Sequence, residues 1–221
     1  MHKPDDIPVE RHPLEPFLPA GARVLMLGSF PPPAARWSMP FFYPNFQNDM
    51  WRIFGLLFYG DKSHFVDSGN RCFRYGQVVR FCTAHGIAIF DTAVAVRRLR
   101  DNASDKFLEV VEPADVAALL RRIPDCRAVV VTGEKAAETV LMSLGKQTST
   151  YPKIGEYVGF GFEGRDMQLW RMPSSSRAYP LPIEKKAAHY ARLFGQQGTA
   201  EPSKTPIHTA VQAATTNNEI I

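Results

Sequence analysis

Four short runs of apolar and β-branched residues, separated by stretches of helical periodicity, constrain the fold of this chain more than any other feature. The runs are residues 24–29, 87–91, 128–132 and 167–172. Continuous apolar runs of this length are typical of strands buried on both faces of a parallel sheet, whereas half-exposed strands alternate apolar and polar residues. The sequence therefore predicts an α/β fold with a central parallel sheet.

Five further segments have the apolar spacing of helices, and they lie between and after these runs. They are residues 48–58, 74–85, 113–123, 134–144 and 183–194. Three of them are followed at once by glycine, which commonly ends helices. This order of elements predicts a three-layer α/β/α sandwich with a four-stranded, mainly parallel central sheet. The segment 146–165 is rich enough in glycine and aromatic residues to predict a β-hairpin.

The two ends of the chain differ in composition from the middle. Residues 1–16 combine prolines with mixed charges, and we interpret them as a poorly ordered N-terminal arm. Residues 196–221 are rich in Gln, Thr, Ala and Asn without an apolar period, which predicts a disordered C-terminal tail. The folded domain is therefore expected to span residues 17–195.

Composition excludes several classes of protein. No apolar run approaches the roughly 20 residues that cross a bilayer, and the N-terminus lacks a signal-peptide core, so we expect a cytoplasmic protein without membrane contact. Cys72, Cys82 and Cys126 lie far apart, which argues against a disulfide framework or a four-cysteine metal site. The formal net charge of +4 favours a polyanionic partner such as nucleic acid, although only weakly.

Distinctive residues follow three of the predicted strands, at the edge where ligands bind in open parallel sheets. The first strand runs into residues 28–33 (GSFPPP) and then into the aromatic segment 41–51 (FFYPNFQNDMW). The second strand ends at residues 91–92 (DT), and the last runs into residues 173–178 (PSSSRA). These segments are expected to meet at one edge of the sheet and to form the functional site.

In type and order, these segments resemble the motifs of the uracil-DNA glycosylase superfamily. The matching features are Gly-Ser-x-Pro after the first strand, an aromatic–x–Pro stretch, Gln-Asn-x-x-Trp opening a helix, and Pro-Ser-Ser-Ser after the last strand. The resemblance covers roughly residues 24–194, and it identifies the segment 17–195 as a glycosylase-like catalytic domain. Within the superfamily, the motifs are most similar to those of the hypoxanthine-DNA glycosylase type.

The resemblance implies a role for individual residues. Asn48 matches the catalytic asparagine that begins a helix in the hypoxanthine-type branch, and Tyr43 matches the aromatic residue on which the extruded base stacks. Ser29 and Phe30 would contribute backbone groups to the base edge, and Ser174 would also lie against the base.

In related enzymes, the loop after the last strand presses against the minor groove and fills the space left by the flipped nucleotide. The resemblance therefore predicts DNA contacts by Ser175, Ser176, Arg177 and Tyr179. Of these, only Arg177 and Tyr179 are long enough to reach into the duplex.

The resemblance thus implies a monomeric, monofunctional DNA glycosylase that removes uracil or hypoxanthine during base excision repair. Hydrolysis of an N-glycosidic bond passes through an oxocarbenium-like sugar, so a water must be positioned, and the amide of Asn48 can align it. Fixed donors then stabilise the departing base anion, and a stacked aromatic platform returns roughly 1–3 kcal/mol per flipped base. Neither a metal nor a redox cofactor is required.

Several positions depart from the patterns of the superfamily. Phe30 stands where other branches have a catalytic asparagine, Met172 where the efficient uracil enzymes have histidine, and Thr132 where an asparagine is common. Arg177 replaces a proline, and Asp49 replaces a basic or small residue. These departures leave the preferred base open.

Two other functions and several structural roles remain open. The chain could be a non-catalytic nucleic-acid-binding relative, or a nucleotide or small-molecule hydrolase that uses a serine of residues 174–176 as the nucleophile. Asn48 could cap its helix, Tyr43 could belong to a hydrophobic plug, and the serines could form a turn. Asp91 is interpreted as capping nearby backbone, and Asp49 is predicted to face outward or to cap the helix.

Overall fold

The structure is a computed structural model that describes residues 7–99, 107–132, 134–145 and 151–197 of the 221-residue chain. The strands in these ranges are β1 (Val9–Arg11), β2 (Val24–Gly28), β3 (Val66–Asp67), β4 (Cys72–Phe73), β5 (Ile87–Asp91), β6 (Ala93–Arg98), β7 (Leu108–Pro113), β8 (Ala128–Thr132), β9 (Glu156–Phe162) and β10 (Arg165–Met172). The helices are α1 (Met50–Tyr59), α2 (Tyr75–Ala84), α3 (Val116–Arg122), α4 (Glu134–Ser143) and α5 (Ile183–Gln196).

The central sheet has five strands in the order β5-β2-β8-β10-β9. The first four are parallel, and they coincide with the four apolar runs of the sequence. The edge strand β9 is antiparallel to β10, so the segment 146–165 supplies one strand that pairs with the last parallel strand, whereas the sequence predicted a hairpin within that segment, of which residues 146–150 lie outside the described residues. The prediction of a four-stranded sheet was therefore wrong by one strand. The reason is that most residues of β9 are exposed or half-buried, as is usual for an edge strand, so no continuous apolar run marks it.

The helices form two groups. The first group consists of α1, α2 and α5. α1 packs against α5, partly through the contact between Phe54 and Tyr190, and Phe54 also contacts Phe81 of α2. α3 packs against α4, which also contacts β8 and β10. The right-handed crossover rule assigns these two groups to opposite faces of the sheet, as expected for a sandwich. In the described part of the chain, no helix is long and apolar enough to cross a membrane.

A second sheet, antiparallel and with the strand order β1-β6-β7, lies beside the carboxyl ends of β2 and β5. The sequence did not predict it. Residues 9–12, which were assigned to a poorly ordered arm, belong to this sheet or continue from it, and the N–H of His12 donates to the carbonyl of Val94 over 2.8 Å. β1 escaped prediction because it has only three residues, of which one is apolar.

The limits of the domain, residues 17–195, remain a prediction. Of the predicted C-terminal tail, residues 198–221 lie outside the described residues. α5 itself continues to Gln196, slightly beyond the predicted helix end. At the edge formed by the carboxyl ends of the parallel strands, the loops that follow β2 and β10 contact each other, and this edge carries the candidate site.

Candidate active site

Gly28 ends β2 beside Asp91, which ends β5 in the neighbouring register position. The carboxylate of Asp91 packs directly against the Cα of Gly28, so a Cβ at residue 28 would overlap Oδ1 of Asp91. The glycine of the Gly-Ser-x-Pro motif is therefore required by close packing against a carboxylate. This contact fixes the backbone that leads into Ser29.

Asp91 is held in turn by a buried histidine. Nε2 of His12 lies 2.8 Å from Oδ2 of Asp91, and the two side chains are only 2% and 10% exposed. Nδ1 of His12 lies 2.9 Å from the carbonyl oxygen of Leu14, and the ring packs edge-on against Phe30. Asp91 thus pairs with a distant side chain, whereas the sequence predicted that it caps nearby backbone. No spacing signal could have revealed a pair separated by 79 residues.

We expect His12→Ala to lower the free energy of unfolding by about 1–3 kcal/mol, because it leaves a buried carboxylate without its partner. His12→Gln is the matched control, since its amide can still donate to Asp91. Denaturant unfolding at neutral pH measures both changes. Equal stability of the two variants would contradict a stabilising role for the pair.

Phe30 uses its side chain as an anchor. It packs in a small apolar cluster with Ala93, Val96 and Leu108 of the second sheet. The N–H of Thr92 donates to the carbonyl of Gly28 over 2.8 Å, which ties the same loop to the end of β5. Because its ring is packed in this cluster, Phe30 can offer a ligand only its backbone groups. The hydrogen bond between Thr92 and Gly28 also stabilises the backbone of the adjacent Ser29.

Tyr43 has a strained backbone next to this loop. Its φ of 50° lies in the left-handed region, which costs a non-glycine residue about 1–3 kcal/mol. Its ring packs edge-on against Trp51, and its hydroxyl points towards Gly28. The neighbouring Phe41 and Phe42 are buried in the core, so the hydrophobic-plug interpretation is correct for them. Tyr43 itself is only half-buried.

Asn48 lies two residues before the first residue of α1, where the helix start meets the serine-rich loop (residues 173–178). Its Oδ1 accepts a hydrogen bond of 2.9 Å from the N–H of Met50, the first residue of α1. Asn48 also forms an antiparallel bridge with Ser176, and the N–H of Asp49 donates to the carbonyl of Ser175 over 2.8 Å. This bond gives Asn48 a structural role at the start of α1, although Asp49 and not Asn48 occupies the N-cap position, and the catalytic role of Asn48 remains a prediction.

The serines of this loop form turns. The hydroxyl of Ser174 accepts from the N–H of Ser176, and the hydroxyl of Ser176 accepts from the N–H of Ala178. In the described ranges, no histidine hydrogen-bonds to these hydroxyls, so a serine nucleophile would lack its general base. Tyr179 closes the loop with a backbone hydrogen bond to the carbonyl of Ser176 and is half-buried.

Asp49 is buried between two cations. Its Oδ1 lies 3.3 Å from Nη2 of Arg177, and its Oδ2 lies 3.5 Å from Nζ of Lys186. The prediction that Asp49 faces outward or caps α1 was wrong, because its side chain makes no cap hydrogen bond and the serine-rich loop folds over it. Lys186 is only 1% exposed, and it also donates to the carbonyl of Ser176 over 2.8 Å.

Cys82 and Cys126 belong to the core, as expected for Cys82, whereas Cys72 is half-buried. Burial raises the pKa of the Cys82 thiol and brings that of Cys126 to about 11, so both are protonated at neutral pH. In the part of the chain that the structure describes, no group of three His, Cys, Asp or Glu side chains is arranged to hold a metal ion.

No protein-family model matches the chain, and no curated protein matches it. Its structure is similar to a solution NMR structure from Methanosarcina acetivorans, which is provisionally named a uracil DNA glycosylase. The TM-score is 0.55 at 20% sequence identity, and the match covers 86% of this chain and 99% of the other. At this identity the similarity shows the fold, so the predicted uracil-DNA glycosylase-like fold is confirmed.

Proposed function

We propose that this chain is a monofunctional DNA glycosylase that hydrolyses the N-glycosidic bond of a deaminated base flipped out of DNA. The observation that carries the proposal is the contact between the start of α1 and the serine-rich loop, where Asn48 pairs with Ser176 across 128 positions of the chain. The structural neighbour, with its provisional name, supports the same class of reaction.

Tyr43 and the loop after β2 would form the base pocket. The half-buried ring of Tyr43 offers a stacking surface beside Gly28, and stacking returns about 1–3 kcal/mol per base. The backbone groups of Ser29 and Phe30 would serve as fixed donors and acceptors to the base edge, together with Ser174. Such fixed groups stabilise the negative charge that develops on the departing base.

Asn48 would position the attacking water. A carbonyl oxygen has two lone pairs, and the N–H of Met50 uses one of the two on Oδ1. The second lone pair can accept a hydrogen bond from water, while the first bond holds the amide in place. Positioning suffices because the oxocarbenium-like sugar is itself a strong electrophile, so an amide can replace a general base.

Uracil and hypoxanthine are the proposed substrates, and the product would be an abasic site in base excision repair. The assignment to the hypoxanthine-type branch rests on the place of Asn48 at the start of α1, one residue before the N-cap, in the Gln-Asn-x-x-Trp motif. Phe30 supports this assignment as well, because its side chain is committed to an apolar cluster and cannot replace the asparagine of other branches.

A non-catalytic DNA-binding protein is the second candidate, and one observation favours it. The Oδ1 of Asn48 already caps α1, so a structural role accounts for this residue without any chemistry. The two candidates share the DNA-binding loop of residues 174–179. They differ in turnover alone.

Labelled oligonucleotides that contain uracil, hypoxanthine or neither base test the proposal. After incubation with the protein and treatment with alkali, strand breaks are expected at the lesion only. Breaks at neither lesion, together with retained DNA binding, would overturn the proposal in favour of the non-catalytic candidate. Absence of both strand breaks and DNA binding would exclude the glycosylase and the non-catalytic DNA-binding protein alike.

Arg177 is proposed to contact duplex DNA from the loop after β10. Its side chain is 53% exposed although it pairs with Asp49, so the guanidinium is accessible to a phosphate or an orphaned base. We expect Arg177→Ala to reduce excision from duplex substrate more than from single strands. The slope of the logarithm of duplex affinity against the logarithm of salt concentration should become shallower by roughly one unit. Equal losses on both substrates would instead indicate a role within the base pocket.

A further inference from the structure

A cleft of about 520 Å³ opens beside the start of α1, and neither Tyr43 nor Asn48 lines it. It shares one residue, Arg177, with the site residues predicted from the sequence. Its other cations are Arg52 of α1 and Lys62 of the segment between α1 and β3. Apart from Arg177, the function proposed above does not use this cleft.

The charge of the cleft is strongly unbalanced. Arg52, Lys62 and Arg177 line it together with a single carboxylate, that of Asp49. That carboxylate also faces the buried Lys186, so it cannot neutralise the three cations of the lining. Such an excess of positive charge in a concave surface attracts an anion.

Arg52 is held rigidly in this cleft. Its Nη1 donates to the carbonyls of Phe46 and Asn48 over 2.8 and 3.0 Å. Its guanidinium lies over the rings of Phe46 and Phe73, at 4.5 and 5.1 Å from their centres. Burial and the neighbouring Arg177 lower the pKa of Arg52, while Asp49 opposes the shift.

The rest of the lining is partly apolar. Phe46, Val66 and Ile183 contribute side chains to the same cleft as the cations. A phosphate alone would need only the cations, whereas a nucleotide has both a charged phosphate and an apolar base face. The volume and this mixture of groups fit a nucleotide better than an inorganic anion.

We propose that this cleft binds a nucleotide that neighbours the flipped one in the same DNA strand, with its phosphate on the three cations. This inference rests on the proposed function. The backbone carbonyl of Asn48 bonds to Arg52, so the cleft begins directly next to the residue proposed to face the reacting sugar. A strand that places its lesion at Asn48 therefore passes Arg52 with an adjacent phosphate.

The first test measures the affinity of the full chain for a lesion-free single-stranded oligonucleotide. Lys62 is exposed, so Lys62→Gln removes one cleft charge without disturbing packing. Arg122→Gln removes one exposed charge from the end of α3, at the opposite edge of the sheet, and serves as the control. We expect Lys62→Gln to weaken binding about threefold to fivefold and Arg122→Gln to leave it unchanged. The slope of the logarithm of affinity against the logarithm of salt concentration should become shallower by about 0.7 for Lys62→Gln and stay unchanged for Arg122→Gln.

A second test locates the phosphate. One phosphodiester at a time, on either side of the lesion, is replaced by an uncharged methylphosphonate, and binding is measured for the wild type and Lys62→Gln. We expect one position within two nucleotides of the lesion to weaken wild-type binding and to have a smaller effect in the variant, because the same contact is already lost.

The proposal is overturned if Lys62→Gln and Arg122→Gln behave alike, or if no methylphosphonate position couples to Lys62. Either result can occur while the protein still excises a deaminated base, so failure of this inference is distinguishable from failure of the proposed function. Conversely, position-specific coupling without any excision would support the cleft in a non-catalytic DNA-binding protein.

Discussion

Asn48→Ala is expected to lower the rate of base release by at least about 100-fold, with little loss of DNA binding. Oδ1 of Asn48 is the group proposed to orient the attacking water, and no other amide is assigned to that task. The affinity should persist because the loop of residues 174–179 and the stacking surface of Tyr43 are unchanged. Single-turnover excision and equilibrium binding to the same lesion-containing oligonucleotide measure the two effects.

Two control variants separate catalysis from helix capping. Asn48→Ser keeps an oxygen that can accept from the N–H of Met50, so it should restore stability without restoring turnover. Asn45→Ala removes an amide with a similar local contact, in which the N–H of Gln47 donates to Oδ1 of Asn45, and should leave turnover intact. Near-normal turnover in folded Asn48→Ala, or recovery in Asn48→Ser, would exclude the catalytic assignment.

The central sheet could be predicted because its parallel strands are buried on both faces. Every residue of β2 and β5 is buried, so both strands can be recognised in the sequence as continuous apolar runs. β6 mixes buried and half-buried residues, β9 also has exposed ones, and β1 is only three residues long. β1 obtains its stability from β6, a partner that is distant in sequence, and β9 lies at the sheet edge beside β10, so no continuous apolar run marks either strand.

The candidate site likewise has a part that the sequence could predict and a part that it could not. Tyr43, Asn48 and Ser174 could be predicted as candidates because they occur in short motifs whose order along the chain is itself informative, and their roles remain proposals. The pairing of His12 with Asp91 was not found, because it depends on a strand that brings residue 12 to the end of β5. The sequence did give one indication, since Asp91 directly follows an apolar run at the edge where ligands bind.

Asp49→Ala is expected to lower the free energy of unfolding by about 3–5 kcal/mol, although the residue flanks an exposed loop. The change leaves Lys186, which is 1% exposed, as a buried cation with only the carbonyl of Ser176 beside it. The pairing with Arg177 adds less, because that side chain is half in solvent and its charge is screened. Denaturant unfolding at neutral pH measures the loss.

A double-mutant cycle shows whether the loss comes from the buried cation. Lys186→Met replaces the cation by an apolar chain of similar length and leaves Asp49 paired with Arg177. The double variant, Asp49→Ala with Lys186→Met, should be more stable than the sum of the single losses predicts, because no buried charge remains unpaired. Strict additivity would show that Lys186 and Asp49 do not interact.

The variant Asp49→Asn tests whether the carboxylate paired with Lys186 contributes to base release as well as to stability. It keeps the shape of the side chain and removes the charge, so it should destabilise the protein while base release in the folded fraction falls far less than in Asn48→Ala. Asn48 and Asp49 are adjacent, and the bonds from Asp49 to Arg177 and Lys186 turn its carboxylate towards the cations of the cleft. If Asp49→Asn abolished release and Asn48→Ala did not, the carboxylate would be the general base and the roles of the two residues would be exchanged.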